Sequence, residues 1–241
     1  MPRLWIKDPL AVFADGAERG LIVEDHRITE LVPAGREPVQ PVHTIFDASR
    51  YVVLPGLVNT HHHFYQTLTR VLVPSLDKEL FDWLKVLYPV WAQLDPEMLS
   101  VATELALAEL LLSGCTTTSD HHYVYPAGLE RAIDVQVEVA SRLGIRIMLN
   151  RGSMDRSVKD GGLPPDSVVQ KLDEILDDCE RVVALHHQTG AGAMVQVALA
   201  PCSPFSVSGD LMRETAVLAD RLNVRIHTHL GETEDENRYC G

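Results

Sequence analysis

The chain has 241 residues, 46% of them hydrophobic, which is enough to bury a sizeable core and excludes a disordered or fibrous protein. Its 21 basic and 34 acidic residues give a formal charge of −13. That field repels phosphate backbones and anionic lipid surfaces, so neither nucleic acid nor a membrane is expected as a partner.

Residues 1 to about 50 read as a small β region. LWIK, AVFA and ERGLIVEDHRITELVPAG carry β-branched runs between turn signals at Asp15-Gly16, Asp25 and Ala34-Gly35. Asp8 interrupts the N-terminal MPRLWIKDPLAVFADG, and no later stretch reaches the roughly 18 apolar residues of a membrane span, so a cytoplasmic protein is expected. From Tyr51 apolar strands alternate with amphipathic helices. YVVLPGLVNT is a buried strand ended by a histidine cluster, and residues 96–113 form a helix covering the sheet. The second strand covers about 115–119 and its helix about 127–143, with Gly144 as C-cap. A third pair falls at 146–150 and 167–179, a fourth at 196–200 and 210–222, and a fifth strand at 224–230. This alternation predicts a parallel sheet with right-handed crossovers. An open doubly wound sheet also fits, but no GxGxxG or GxxxxGK[ST] follows a strand. The expected fold is therefore an α/β (β/α)8 TIM-like barrel, of which the chain supplies about the first five βα units.

Cys115, Cys179, Cys202 and Cys240 are widely spaced with no CxxC pair, which argues for reduced thiols and against a zinc ribbon, a redox motif or a disulfide scaffold. The histidines are more informative. In a barrel of this kind the chemistry lies at the C-terminal ends of the strands. His61, His62 and His63 end the first strand, His121 and His122 follow the second, and His227 and His229 lie in the fifth. His186 and His187 precede the fourth strand, and His26 and His43 fall in the β region, so none of these four is expected to act chemically.

His61 and His63 are two apart, and on a strand such residues share a face, so two imidazoles converge while His62 turns away. A metal needs several neutral nitrogens at about 2.0–2.1 Å. A histidine-rich surface loop is the plainer alternative. His229 stands three residues before Glu232, an arrangement that can hold a metal beside a proton carrier.

PGLVNTHHH (residues 55–63) and HTHLGETEDE (residues 227–236) resemble the first-strand and fifth-strand signatures of the amidohydrolase superfamily, in its aminohydrolase and chlorohydrolase branch. The resemblance covers nearly the whole chain. It implies that residues 1–50 are the N-terminal part of a composite β-sandwich completed by a C-terminal segment, and that 51–241 are the first part of the barrel. It carries metal ligands onto His61, His63 and His229 and the catalytic acid/base onto Glu232. VQVALAPCS has no lysine to bridge two metals, so one divalent metal, zinc, is expected. Pro201-Cys202 superficially suggests the cytidine-type zinc deaminases, but Phe205 stands where their second cysteine would be.

Some members of the branch place a histidine where the fourth strand ends. Here Cys202 and Ser203 stand there, which argues against a nucleoside substrate. Gln66 matches in position the glutamine by which guanine-deaminase-like members hold a purine, and an amide suits a lactam edge. Gln66, Arg151 in RGSMD (residues 151–155) and Cys202 are thus candidate substrate contacts, each with a purely structural alternative. The activity implied is hydrolytic deamination of an amino-substituted N-heterocycle such as 8-oxoguanine, giving urate and ammonia. Loss of chloride or an alkylamine from a triazine is the nearest alternative, and a non-catalytic metal-binding or regulatory module is an alternative of another class. Partners are therefore a small heterocycle, with self-association into a homo-oligomer left open. The family also uses a histidine on a sixth strand and an aspartate on an eighth, so a longer polypeptide is expected.

Overall fold

β-branched and aromatic residues in short runs build the first part of the computed structural model, which describes residues 2–241. Its strands are β1 (Arg3–Lys7), β2 (Ala11–Val12), β3 (Gly20–Glu24), β4 (Arg27–Val32), β5 (Thr44–Asp47) and β6 (Val52–Val53). They form a sheet in the order β4-β3-β1-β5 and a separate β2-β6 pair. Trp5, Ile22 and Val32 make its small core, and the Trp5 indole N–H donates to the Arg19 carbonyl at 3.1 Å. This unit ends at Gly56. The division falls beyond residue 50 because Val52 and Val53 pair with Ala11 and Val12, which splits YVVLPGLVNT between two units.

The second unit runs from Leu57 to Gly241. Its elements are β7 (Leu57–Asn59), α1 (Leu80–Trp91), α2 (Pro96–Leu112), β8 (Cys115–His122), α3 (Ala132–Leu143), β9 (Arg146–Ser153), α4 (Leu172–His186), β10 (Val195–Pro201), α5 (Gly209–Leu222) and α6 (Glu234–Cys240). The sheet order is β10-β9-β8-β7, parallel throughout, with helices between successive strands from β7 to β10. Strands adjacent in sequence are thus adjacent in space, as in a (β/α) barrel and unlike a doubly wound sheet.

The helices start and stop where side-chain chemistry dictates. The Asp95 carboxylate accepts the Met98 N–H at 2.7 Å, with Pro96 in the first turn of α2. Leu99, Ala102, Thr103, Ala106 and Leu107 then repeat at helical spacing on its buried face. Gly144 ends α3 at φ +74°, a left-handed conformation that costs glycine little.

The structure corrects one expected strand and adds one helix. Residues 224–230 are not a regular strand: a single parallel bridge joins Leu199 and Ile226, although main-chain bonds from Leu199 to Arg225, from His227 to Leu199 and from His229 to Cys202 lay the segment along β10. Helix α1 has no counterpart among the expected elements, although the turn residues Pro74, Ser75 and Asp77 separate it from the histidine cluster. Among the described residues no helix is long and apolar enough to cross a membrane.

Candidate metal centre

Strand alternation brings His61 and His63 to one point at the end of β7. The segment after α5, laid along β10, adds His229. Their Nε2 atoms lie 3.2 Å apart for His61 and His63, and 3.3 Å from His229 to each. A tetrahedral ion with bonds of about 2.0–2.1 Å has its nitrogens about 3.3–3.4 Å apart, so the three rings fit a divalent metal without rearrangement.

Their other ring nitrogens fix the tautomers. His63 Nδ1 lies 2.7 Å from the His121 carbonyl and His229 Nδ1 2.9 Å from the Cys202 carbonyl. A carbonyl can only accept, so each Nδ1 carries the proton and each Nε2 presents a lone pair. His61 Nδ1 lies 2.9 Å from His227 Nε2, and in the same tautomer it donates to that ring. Burial is the leading cause that lowers the pKa of all three, keeping them neutral as a cation requires.

Two overlapping sets, His61 with His121 and His227, and His121 with Cys202 and His229, also lie within 4.8 Å. In these sets only part of the donor capacity is engaged, since His121 Nδ1 is buried without a partner among the described residues. His121 Nε2 donates to the Ala200 carbonyl at 3.3 Å, and burial pushes the Cys202 thiol up to about 12, far from the thiolate a metal needs.

Glu232 lines the same cavity, of about 200 Å³, as His61, His63, His229, Gln66 and Cys202. Burial raises its pKa, and Glu236 adds to this by like charge while His61 opposes it. The turn carrying Glu232 is held from α6: the buried Glu236 carboxylate accepts the N–H groups of Gly231 and Glu232 at 2.9 and 2.7 Å. Gln66 donates through Nε2 to the Tyr123 hydroxyl at 3.4 Å. Trp83 and Tyr88 from α1, with Phe205, supply flat apolar walls, and a wider groove of about 670 Å³ adjoins the histidines.

His61, His63, His229, Glu232, Gln66 and Cys202 are therefore brought together. Arg151 is not. It is wholly buried and turned away, with Nε on Asp178 at 2.9 Å, Nη2 on the Gln170 side-chain oxygen at 2.9 Å, Nη1 on the Gly152 carbonyl at 2.6 Å and its plane over Tyr125. With three of its donors engaged, the buried guanidinium ties β9 to α4 and does not line the cavity. The rest of RGSMD is equally structural. A Cβ on Gly152 would lie 2.3 Å from the His122 carbonyl, and Asp155 accepts the Ser208 N–H and hydroxyl at 2.6 and 2.5 Å, ahead of α5.

Sequence reasoning missed Trp83, Tyr88, Tyr123, Phe205 and Glu236. Only Glu236, four residues after Glu232 in the motif, carried a local signal.

A profile described as the amidohydrolase family matches residues 52–241. The chain is 62% identical over 243 residues to 8-oxoguanine deaminase of Pseudomonas aeruginosa, covering 100% of this chain and 54% of that protein. It is 38% identical over 208 residues to hydroxydechloroatrazine ethylaminohydrolase of Pseudomonas sp. strain ADP, covering 85% and 43%. Among solved structures, atrazine chlorohydrolase of Arthrobacter aurescens complexed with zinc superposes with a TM-score of 0.85 at 25% identity, over 100% of this chain and 55% of that one. The chain spans about half the length of the curated relatives it matches.

Proposed function

This chain belongs to the amidohydrolase family, and we propose that its site serves the hydrolytic deamination of 8-oxoguanine to urate and ammonia with one bound zinc ion. The observation that carries the reading is the meeting of three lone-pair-bearing Nε2 atoms with Glu232 and Gln66 in one small aromatic-walled cavity. The lysine-free β10 supports a single ion.

A divalent ion held by His61, His63 and His229 would supply the Lewis acidity that lets water attack near neutral pH. Glu232, its pKa raised by burial, takes a proton from the attacking water. The carbon bearing the amine gains the water oxygen, and Glu232 delivers the proton to the amino nitrogen as the C–N bond breaks with its electron pair on that nitrogen, which leaves as ammonia. Gln66 offers a donor and an acceptor to the lactam edge of the ring. Trp83, Tyr88 and Phe205 pack against flat heterocyclic faces and exclude water. A cytoplasmic setting belongs to the same proposal, since thiols such as Cys202 stay reduced there.

A second reading keeps the site and removes an alkylamine from a hydroxytriazine, favoured by the 38% identity to the ethylaminohydrolase. Ammonia release from 8-oxoguanine and guanine, compared with amine release from hydroxytriazines, separates the two. The zinc-loaded protein should turn over 8-oxoguanine best. No release from any of them with zinc bound would overturn both readings.

A further inference from the structure

We propose that Asp120 is a positioning residue for the metal centre: its carboxylate clasps the main chain beside His63 and so fixes where the first two imidazoles point. The inference rests on the reading that His61, His63 and His229 hold a divalent ion.

Asp120 lies on β8, wholly buried, and is not among the residues lining the cavity. Its Oδ1 accepts the main-chain N–H of Phe64 at 2.6 Å, and its Oδ2 accepts from the Gln136 side chain on α3 at 2.6 Å. Phe64 directly follows His63 and opens a 3-10 turn, Phe64–Thr69, whose first N–H groups have no partner within the turn. The next residue of β8 holds the two residues before Phe64. The His121 N–H donates to the His62 carbonyl at 2.8 Å, and the His121 carbonyl accepts from His63 Nδ1 at 2.7 Å. Two successive residues of one strand thus grip three successive residues of the ligand loop.

The consequence is geometric. The His61 and His63 rings meet only if the chain between them keeps its course, and the carboxylate holds the far end of that segment. Losing the acceptor would free the Phe64 N–H and let residues 62–64 move. Removing groups that orient metal ligands from behind weakens metal binding by about 10–100-fold.

The geometry also predicts which substitution is harmless. Gln136 Oε1 is buried without a partner among the described residues. In Asp120→Asn, Oδ1 still accepts from Phe64, and the new NH2 can donate to Gln136 Oε1 once that amide turns over.

The test is zinc affinity, measured by competition with a chromophoric chelator, on the wild type, Asp120→Ala and Asp120→Asn, with circular dichroism confirming that each is folded. The expected result is zinc binding weakened by about 10–100-fold in Asp120→Ala and close to wild type in Asp120→Asn. If Asp120→Ala does not fold, Asp120→Ser, polar but too short to reach Phe64, takes its place with the same expected loss. Alanine or serine variants binding zinc as tightly as the wild type would overturn the clasp, as would an asparagine variant as weak as alanine. A wild type that binds no zinc is a different pattern, and it would overturn the metal reading with the clasp.

Discussion

His63 and His121 are joined by a 2.7 Å hydrogen bond from the Nδ1 of the first to the main-chain oxygen of the second. This bond decides which nitrogen of His63 faces the centre, since a carbonyl oxygen forces the proton onto Nδ1 and leaves Nε2 free. Its neighbour His62 has no such role: its Nε2 belongs to none of the converging sets, and its ring packs on Phe64. His63→Ala should therefore abolish stoichiometric zinc binding, while His62→Ala should retain it. Metal analysis after dialysis distinguishes them, and equal loss in both would refute the assignment of adjacent histidines to different tasks.

Arg151 and Asp178 make the second prediction. Breaking a buried ion pair from one side costs about 3–5 kcal/mol, and Asp178 keeps a second partner in Arg181 at 2.8 Å, so Arg151→Met should cost about 3 kcal/mol. Urea unfolding would report the loss. Zinc content and KM for 8-oxoguanine should not change, because the guanidinium faces α4 and not the cavity. A raised KM with unchanged stability would restore Arg151 as a substrate contact.

Cys179 gives a pH dependence remote from the metal. Burial pushes its thiol from 9.0 up to about 11, against a smaller opposing pull from Arg151. The folded state then holds the proton more tightly than the unfolded chain, so this contribution is complete below about pH 9 and is lost as pH rises through about 11. Between pH 8 and 11 the wild type should lose about 2–3 kcal/mol more stability than Cys179→Ala. Parallel pH profiles of the two proteins would contradict the buried-thiol account.

Much of this could be read from the chain because it is locally encoded. The i, i+2 spacing of His61 and His63 needs only strand geometry, and the His229 to Glu232 spacing needs only a strand end and a turn. The alternation of strands and helices was legible for the same reason, down to Gly144. Arg151 was misread because sequence places it at a strand end without saying that it points out to α4. The segment around His229 reads as a full strand because of its β-branched residues, yet it makes only a bridge to β10. Asp120, Tyr88 and Phe205 matter through partners distant in sequence, and composition carries no trace of such pairings.

In the proposed site three neutral histidines hold the metal and Glu232 moves the proton. Ammonia release from 8-oxoguanine and bound zinc, compared between the wild type and Glu232→Gln, test both roles at once. Zinc should be unchanged in the variant and kcat should fall at least about 100-fold. Full turnover by Glu232→Gln with zinc in place would contradict the role of Glu232.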